Sequence, residues 1–495
     1  MLVVILLLLI LPFAAALVSL RAPAAVTEIV TAATGVVCFG LVLALVPAAA
    51  HRNLSYLSYL RMDAISTVFL LATSFLYAAV ALYSIGYLAP SRRRGGAGYS
   101  RYSRRFYAGL NLFAWTMLAA PLMSNLALLW IAVEITTVIS ALLVAIEDTD
   151  GAAEAAWKYI LIASAGLGLA LLATIFAYYA GSRVLGEHYD LSFIPLLHAG
   201  ARLPQTPVRL AFVLAVVGFG TKMGLVPVHT WLPDAHSEAP TPVSALLSGS
   251  LLAVSFYAIL RYYQVASVVL GPRFPRDVLL VFGVASLLLA ALYLLEQHNV
   301  KRMLAYSSVE HMGILAIGVS FGAPIALAGV LLHVLAHAAA KGNAFMGAGV
   351  LVHKFGSKSM SSITGGLDLL PWSGPLFGIA VLALCAMPPF GIFRSEFEIV
   401  EGGFSASSDT AAAILIVLVT IAFFGLTLAT NRMLLTPRRA GNIGSGAALT
   451  RGEPSAWMVV PVVAGVAVLL VLGLHPPAEL TGLLSRAVHQ LEVGA

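Results

Sequence analysis

A lysine lies among helix breakers in the stretch Gly218-Phe-Gly-Thr-Lys222-Met-Gly-Leu-Val-Pro227, inside a long apolar run. Proline in the interior of a helix removes a backbone hydrogen bond and kinks the axis. Within a membrane, backbone of this kind is tolerated only where it is buried in protein or faces water. The stretch therefore predicts a broken membrane helix that carries an ionisable group at its break.

The composition is that of a membrane protein. Of the 495 residues, 60% are hydrophobic and only 10% are charged, whereas soluble domains carry about 25% charged residues. Apolar runs of about 20 residues, long enough to cross a bilayer, recur along the whole chain. We predict an all-α integral membrane protein with about 14 transmembrane helices. They lie near residues 2–20, 26–47, 62–89, 106–122, 123–146, 153–180, 210–228, 242–264, 278–297, 301–320, 324–352, 373–399, 411–435 and 455–475.

A second break is predicted at Met387-Pro-Pro-Phe-Gly-Ile-Phe-Arg-Ser-Glu396. The two breaks fall in predicted helices 7 and 12, and broken helices at matching places of two halves indicate an internal repeat around a transport site. Because this offset of five helices is odd, the two five-helix repeats would be inverted in the membrane. We predict four regions: N-terminal helices 1–3 (residues 1–105), the first repeat (106–264), the second repeat (278–435), and helix 14 with a tail (455–495).

The net charge of +6 does not indicate nucleic-acid binding, because the basic residues lie mainly in loops. About 16 Lys and Arg follow odd-numbered helices and about 8 follow even-numbered ones, which places both termini outside the cytoplasm by the positive-inside rule. The segment Arg92–Arg105 carries much of this bias, and Arg438 and Arg439 add to it. We interpret Arg92–Arg105 as a topology anchor or as a docking site for a cytoplasmic partner. No Lys or Arg precedes Leu2–Leu20, so we expect this first helix to be retained and not cleaved as a signal peptide.

Glu134 and Lys222 each lie deep in a predicted helix, the fifth and the seventh. A charge at that depth costs about 2.5–3.5 kcal/mol on insertion scales, so it is usually paired, hydrated or functional. If the two are paired, each stabilises the charged form of the other. A proton that arrives on the glutamate would then release the lysine to lose its own. The alternative is a static ion pair that holds two helices together.

Three protonatable residues, His333, His337 and Lys341, recur at a spacing of four in the eleventh predicted helix and so share one face. Histidine titrates near neutral pH, which favours a proton relay. The alternatives are histidines that are simply hydrogen-bonded in the core, and a structural lysine paired with a neighbouring helix.

Glu396 follows the second break. Its neighbours Arg394 and Glu398 are two residues away, a spacing that does not place side chains on one face of a helix. We therefore predict that Glu396 points inward as the terminal proton site. Glu310 and His311 open the tenth helix, and two interpretations stay open for them: groups embedded in the membrane, or the lining of a half-channel mouth.

The segment after the first break carries His229, Asp234, His236 and Glu238. The last three have a spacing like that of a metal-binding set, but the loop is short and no second cluster accompanies it. We expect no metal here and interpret the segment as a polar turn beside an ion entrance. Four other acidic residues are interpreted as solvated helix ends: Asp63, Glu147, Asp148 and Asp150.

The sequence contains no phosphate-binding loop, dinucleotide fingerprint or cysteine cluster for iron and sulfur. Its two cysteines, Cys38 and Cys385, lie in apolar runs and are interpreted as packing residues. We therefore expect neither a cofactor nor a catalytic site in this chain. An ion gradient or partner proteins must drive it, and one charge crossing 100 mV is worth about 2.3 kcal/mol.

A family resemblance is carried by the segment Gly220–Thr241, which includes Thr-Lys-Met-Gly-Leu-Val-Pro and Leu-Pro-Asp-Ala-His. It resembles the signature of antiporter-like membrane subunits of respiratory complex I, Mrp-type sodium/proton antiporters and group 4 [NiFe]-hydrogenases. The stretches Ala305–Gly313 and Pro388–Glu396 resemble component F of hydrogenase-4 and related formate hydrogenlyase complexes. The resemblance covers roughly predicted helices 2 to 13.

The resemblance implies a fold of 14 helices with two inverted five-helix repeats and a polar axis along the membrane midplane. By this resemblance Glu134 is the helix 5 carboxylate and Lys222 is its helix 7 partner. His333, His337 and Lys341 form the helix 11 relay, and Glu396 is the helix 12 terminal group. Several relatives have a Lys or His in helix 8 where this chain has Ala253. Ser250, Ser255, Tyr257 or water would have to bridge the two halves.

These observations predict a membrane subunit that moves protons for a redox reaction performed by other subunits, in a complex of the hydrogenase-4/formate hydrogenlyase or complex I type. The expected partners are other membrane subunits and a peripheral arm like a [NiFe]-hydrogenase with iron–sulfur proteins. The expected location is the lipid bilayer of a prokaryotic cytoplasmic membrane. The alternatives are an Mrp-type Na⁺/proton antiporter subunit, a structural subunit that transports nothing, and the membrane partner of a bicarbonate-uptake protein.

Overall fold

The computed structural model describes residues 1–56, 59–94, 97–437 and 450–493. This part of the chain is almost wholly α-helical, with one short hairpin formed by β1 (Leu54–Tyr56) and β2 (Leu60–Met62). The helices are α1 (Leu2–Arg21), α2 (Ala24–His51), α3 (Ala64–Arg94), α4 (Ala97–Ala119), α5 (Leu126–Val144), α6 (Asp150–Leu185), α7 (Phe193–Ala199), α8 (Gln205–Met223), α9 (Trp231–Glu238), α10 (Thr241–Leu246), α11 (Leu252–Leu270), α12 (Arg273–Leu294), α13 (Val300–Phe321), α14 (Pro324–Phe355), α15 (Gly366–Leu369), α16 (Ser373–Leu384), α17 (Gly391–Ser405), α18 (Asp409–Leu435), α19 (Val460–Leu474) and α20 (Ala478–Val493).

Within the described ranges, 12 helical segments are long and apolar enough to cross a membrane. One of them, Thr241–Leu270, joins α10 and α11 through a π-helical turn. These segments confirm the predicted all-α membrane fold, but the predicted count of about 14 spans is not confirmed. The two predicted spans outside this set are α4, whose first half carries Arg101, Arg104 and Arg105, and the pair α16–α17, which is split into two short helices.

Both predicted helix breaks are present. α8 ends at Met223, and the chain becomes helical again at Trp231. Gly224 adopts a φ of 90° at this break, a conformation that side chains disfavour, and an added Cβ would lie 2.5 Å from Leu232. The second break separates α16 from α17, which begins at Gly391. The residue bounds predicted for the repeats and their flanking regions stay predictions.

Small residues let several helices approach one another closely. Gly218 of α8 lies so near α6 that an added Cβ would be 2.5 Å from the backbone nitrogen of Ala170. An added Cβ on Gly313 of α13 would be 2.9 Å from the carbonyl oxygen of Gly283 on α12. Small residues permit such contact between membrane helices. The first contact holds α6 against the helix that carries Lys222, and the second holds α13 against α12.

The C-terminal tail, for which the sequence predicted no structure, forms α20. This helix packs against α2, α3 and α14. Leu483 and Leu491 are fully buried on its inner side, and the carbonyl oxygen of Gln490 accepts a hydrogen bond of 2.8 Å from Gln264 of α11. The tail is therefore part of the packed helical body.

The basic segment after α3 contacts the start of the chain. Arg92 Nη1 lies 2.6 Å from Glu28 Oε2 of α2, and Arg104 donates a hydrogen bond of 3.1 Å to the carbonyl oxygen of Ala22. These contacts tie α3 and α4 to the connection between α1 and α2. Arg438 and Arg439, which were also counted toward topology, lie outside the described residues.

The acidic residues predicted as solvated helix ends divide into two groups. Glu147, Asp148 and Asp150 are exposed, as predicted. Asp63 is 1% exposed, and the prediction for it is wrong. It accepts hydrogen bonds of 2.7 and 2.8 Å from Nη2 of Arg261, which is also 1% exposed and lies 198 residues away on α11. No local pattern in the sequence could show this ion pair, which joins the start of α3 to α11.

We expect the substitution Asp63→Asn to lower the free energy of unfolding by about 3–5 kcal/mol, because it leaves the buried guanidinium of Arg261 without its counter-charge. Denaturant titration of the purified protein in mixed micelles measures the change. The matched control is Asp150→Asn at an exposed helix start, with an expected change of about 1 kcal/mol or less. Equal small changes in the two variants would contradict the structural role of the pair.

Candidate functional site: a buried row of ionisable side chains

Lys222 lies in the last turn of α8 and is fully buried. Its amine donates a hydrogen bond of 2.8 Å to Thr137 Oγ1 of α5 and a second one to the hydroxyl of Tyr159 on α6. The same amine lies 4.5 Å from the centre of the Tyr159 ring. The Tyr159 hydroxyl is also 2.7 Å from Ser140 Oγ. Neutral hydroxyl groups from two neighbouring helices therefore hold this lysine.

Glu134 is three residues before Thr137 on α5, so the two side chains share a face of that helix. Ser164 donates a hydrogen bond of 3.2 Å to Glu134 Oε1, whereas Oε2 has no hydrogen-bond partner among the described residues. In the described part of the chain no ion pair joins Glu134 to Lys222. The expected direct pair is thus replaced by contacts of Lys222 with Thr137 and Tyr159.

His236 does not lie in a polar loop, contrary to the prediction. It belongs to α9, the helix that follows the break, and it is fully buried. Its Nδ1 is 2.8 Å from the carbonyl oxygen of Leu232, and its Nε2 has no partner in the described ranges. The ring centre lies 6.0 Å from that of Trp231 and 5.9 Å from that of Phe345 on α14. His236 therefore lies between the Lys222 region and the helix that carries Lys341.

The acidic neighbours of His236 point elsewhere. Asp234 lies 3.2 Å from Arg302 and 3.7 Å from Lys158, and Glu238 lies 2.9 Å from Lys358. Among the described residues, Asp234, His236 and Glu238 do not form a group that could share one metal ion. His229 lies in the break between α8 and α9, is 7% exposed, and has an Nδ1 without a partner in the same part of the chain.

Lys341 of α14 is fully buried, and α13 supplies its partners. Its amine donates hydrogen bonds of 2.7 Å to Ser307 Oγ and 3.1 Å to the carbonyl oxygen of Leu304. Glu310 is three residues after Ser307 on the same helix and is 2% exposed. Each buried lysine thus bonds a hydroxyl that lies three residues from a glutamate: Thr137 and Glu134 for Lys222, Ser307 and Glu310 for Lys341.

Three fully buried histidines form a compact group, which we term the histidine cluster: His311 of α13 with His333 and His337 of α14. His311 Nδ1 is 3.1 Å from His333 Nε2. The ring centre of His337 lies 5.2 Å from that of His311 and 6.2 Å from that of His333. Both nitrogens of His337 lack hydrogen-bond partners among the described residues.

Glu396 of α17 faces the histidine cluster. Its Oε1 lies 3.8 Å from His311 Nδ1, and the residue is 8% exposed. Arg394 and Glu398 pair with each other at 3.0 Å instead of joining the cluster. Glu310 and His311, for which the sequence left two interpretations open, are buried within the protein, with exposures of 2% and 0%.

The side chains expected to bridge the gap at Ala253 are engaged elsewhere. Ser250 donates to Thr73 of α3 at 2.8 Å, and Ser255 donates to the carbonyl oxygen of Leu251 in its own helix. Tyr257 donates to the carbonyl oxygen of Pro121 at 3.0 Å. These contacts direct all three hydroxyls away from a bridging role.

A different hydroxyl contact joins the region between α10 and α11 to α13. Ser248, in the π-helical turn Leu247–Leu251, lies 2.7 Å from Ser308, the neighbour of the lysine-bonded Ser307. π-Helical turns are frequent at functional sites. Sequence reasoning missed Thr137, Tyr159 and this serine pair, because a hydroxyl in a membrane helix usually bonds its own backbone and carries no spacing signal.

Comparison with known proteins places this arrangement in a family. Residues 123–423 match the family described as NADH:quinone oxidoreductase/Mrp antiporter, TM. The chain is 35% identical over 368 residues to a hydrogenase-4 component F homolog of Methylacidiphilum infernorum, across 73% of this chain and 76% of the relative. It is 31% identical to hydrogenase-4 component B of Escherichia coli, across 72% of this chain. The match spans about half of that relative, 52% of its length.

Solved structures share the fold over nearly the whole chain. A membrane-bound sulfane sulfur reductase, an archaeal respiratory complex, gives a TM-score of 0.85 at 19% identity, covering 99% of this chain and 98% of the other. The Mrp complex of Dietzia gives a TM-score of 0.83 at 20% sequence identity, and the match covers 100% of both chains. Respiratory complex I of Thermus thermophilus gives a TM-score of 0.81 at 22% sequence identity, and the match covers 99% of both chains.

The family match and the component F homolog show more than the fold, because they extend over most of the sequence that carries the buried row. This chain belongs to the NADH:quinone oxidoreductase/Mrp antiporter membrane family, and it is an antiporter-like membrane subunit of the kind found in complex I, group 4 hydrogenases and Mrp complexes.

Proposed function

We propose that this chain carries protons across the membrane along the buried row, as one subunit of a redox complex of the hydrogenase-4 or complex I type. The row consists of nine side chains, of which Glu134 is partly buried and the others are buried: Glu134, Lys222, His236, Glu310, His311, His333, His337, Lys341 and, at its end, Glu396. One observation supports the proposal most strongly. Lys222 and Lys341 are fully buried yet are bonded to neutral hydroxyl and carbonyl groups. Ionisable groups at membrane depth commonly mark ion pathways, and a lysine held in this way gives up and regains a proton without breaking an ion pair.

The first half of the proposed route runs from Glu134 to Lys222. The Tyr159 hydroxyl contacts both the Lys222 amine and Ser140, and a hydroxyl both donates and accepts hydrogen bonds. Tyr159 is therefore suited to accept a proton from one side while it donates one to the other. Beyond Lys222, the next ionisable ring is His236, whose unpartnered Nε2 is available to a water molecule.

The second half of the proposed route runs from Lys341 through the histidine cluster to Glu396. His311 and His333 are already within hydrogen-bond distance of each other, and His311 lies beside the Glu396 carboxylate. Water fills the remaining distances in this proposal, together with the Ser248–Ser308 hydroxyl pair. Protons would enter from the cytoplasm on the Glu134 side and leave near Glu396.

The setting of the chain completes the proposal. The relatives include components of hydrogenase-4, and the shared fold occurs in multi-subunit membrane complexes, so the partners include other membrane subunits. We further propose a peripheral arm like a [NiFe]-hydrogenase with iron–sulfur proteins, no cofactor in this chain, a prokaryotic cytoplasmic membrane, and both termini outside. Co-purification with mass spectrometry of the partners tests the arm directly.

A second candidate function is Mrp-type sodium/proton exchange. Two observations favour this candidate function. The chain shares its fold with the Mrp complex of Dietzia, and Oε1 of Glu396 has no hydrogen-bond partner among the described residues. Sodium-dependent transport by this chain without redox partners would support exchange over redox-coupled pumping. Co-purification with a zinc-containing uptake protein instead would support the bicarbonate-uptake alternative.

Substitutions at the two ends of the first half should reduce proton translocation. We expect Lys222→Ala and Glu134→Gln each to lower the proton flux through this subunit at least about tenfold, because a positioned acid or base contributes about 10²–10⁴-fold to proton transfer. Proton uptake into vesicles that contain the assembled complex measures the effect. The matched controls are Lys158→Ala and Glu154→Gln, which alter a partly exposed pair on α6. Unchanged translocation in the first two variants would contradict the route.

The hydroxyl of Tyr159 provides a sharper test of the first half. Tyr159→Phe removes one oxygen and keeps the ring that packs against Trp231, whose centre is 4.4 Å away. We expect proton translocation to slow about tenfold or more, because the link between Lys222 and Ser140 is lost. The control is Tyr107→Phe, whose buried hydroxyl has no hydrogen-bond partner in the described ranges. If both variants pump at the wild-type rate, Tyr159 is only a packing residue.

A further inference from the structure

The end of the buried row has the geometry of a metal site. His311, His333 and Glu396 each offer one ligand atom, and these atoms lie within 4.8 Å of one another. His311 Nδ1 is 3.1 Å from His333 Nε2 and 3.8 Å from Glu396 Oε1. Bonds of about 2.0–2.1 Å in a tetrahedral zinc site separate the ligand atoms by about 3.3 Å. The separations of 3.1 and 3.8 Å from His311 Nδ1 lie on either side of that value.

The hydrogen bonds around His333 fix which of its nitrogens faces the site. Ser395 Oγ donates to the carbonyl oxygen of Ile392 at 2.8 Å, so it accepts the 2.9 Å hydrogen bond from His333 Nδ1. His333 therefore carries its proton on Nδ1 and turns the lone pair of Nε2 toward His311. Histidines that bind metals usually donate their other N–H in this way, which fixes the ring for coordination.

Two buried atoms at the same place lack partners. Glu396 Oε1 and His311 Nε2 receive no hydrogen bond from the described residues, although such atoms are normally paired. A metal that takes Oε1 and Nδ1 as ligands requires His311 to move its hydrogen to Nε2. The unpartnered Nε2 is free to carry that hydrogen.

Ionisable side chains of both types lie on the helices that supply the ligands. Lys341 lies on α14, the helix that supplies His333, and Glu310 directly precedes His311 on α13. Arg394 on the same helix as Glu396 is already paired with Glu398. Two nitrogens and one carboxylate oxygen, with a carboxylate nearby, suit zinc and similar divalent transition metals better than the alkaline-earth ions, which prefer oxygen ligands.

We propose that His311, His333 and Glu396 bind a divalent transition metal of the zinc class, and that the bound ion closes the proton route at its Glu396 end. The metal is an inhibitor and not a resident cofactor, because it occupies the atoms that otherwise exchange protons. The inhibitory part rests on the proposed function, whereas the binding site stands on the geometry alone.

Metal binding is tested first, without reference to transport. The full chain, purified without a polyhistidine tag, is titrated with Co²⁺, whose visible absorption reports tetrahedral coordination, and Zn²⁺ is then added as a competitor. We expect one tight site per chain, and we expect His333→Ala and Glu396→Gln each to raise its Kd at least about tenfold. His298→Ala and Glu398→Gln should leave the Kd unchanged. Absence of a stoichiometric site, or equal affinity in all variants, would overturn the proposal.

Two further variants guard against misfolding and separate the two claims. Ser395→Ala keeps all three ligands but removes the hydrogen bond to His333 Nδ1, so it should weaken Co²⁺ binding while the protein stays folded. Micromolar Zn²⁺ should inhibit proton uptake by vesicles with the wild-type complex, and Glu398→Gln should be inhibited equally. If the site binds metal but Zn²⁺ leaves proton uptake unchanged, the inhibitory claim fails and the site remains. If the complex moves no protons at all, the proposed function fails, and the Co²⁺ titration still decides the site.

Discussion

The cost of placing a lysine charge inside an apolar membrane protein governs this structure. Lys222 and Lys341 are fully buried, and neither has the ion-pair partner that would offset the cost most simply in the described part of the chain. Hydroxyl and carbonyl groups take that place, supplied by α5 and α6 for Lys222 and by α13 for Lys341. Buried polar groups need such partners, and glycine contacts such as that of Gly218 bring the donor and acceptor helices close enough to supply them.

The helix breaks connect this local solution to a path. Because α8 stops at Met223, the chain is able to re-enter the interior as α9 and present His236 between Trp231 and Phe345. The second break does the same for Glu396, which α17 directs toward the histidine cluster. Each break is thus followed by a helix that carries a buried ionisable group, His236 in α9 and Glu396 in α17, and both groups belong to the proposed row.

Features that depend on neighbouring residues in the chain were predictable. Helix breakers in the sequence located both breaks, and the spacing of four placed His333, His337 and Lys341 on one face of α14. Features that depend on contact between distant segments of the chain were not predictable from the sequence. The Asp63–Arg261 ion pair joins residues far apart in sequence, and Tyr159 looked like one aromatic residue among many. His236 was assigned to a loop because its polar neighbours Asp234 and Glu238, which face Lys and Arg side chains at the surface, masked the burial of the residue between them.

The account depends on water between the ionisable groups, because no side-chain hydrogen bond among the described residues joins Lys222 to His236 or His236 to Lys341. A density map of the chain within its complex, at a resolution that shows ordered water, tests this most directly. We predict water molecules that link Lys222 to His236, His236 to Lys341, and the histidine cluster to Glu396, each held by polar partners as buried water requires. Dry apolar packing in any of these three intervals, in every state of the working complex, would contradict the account.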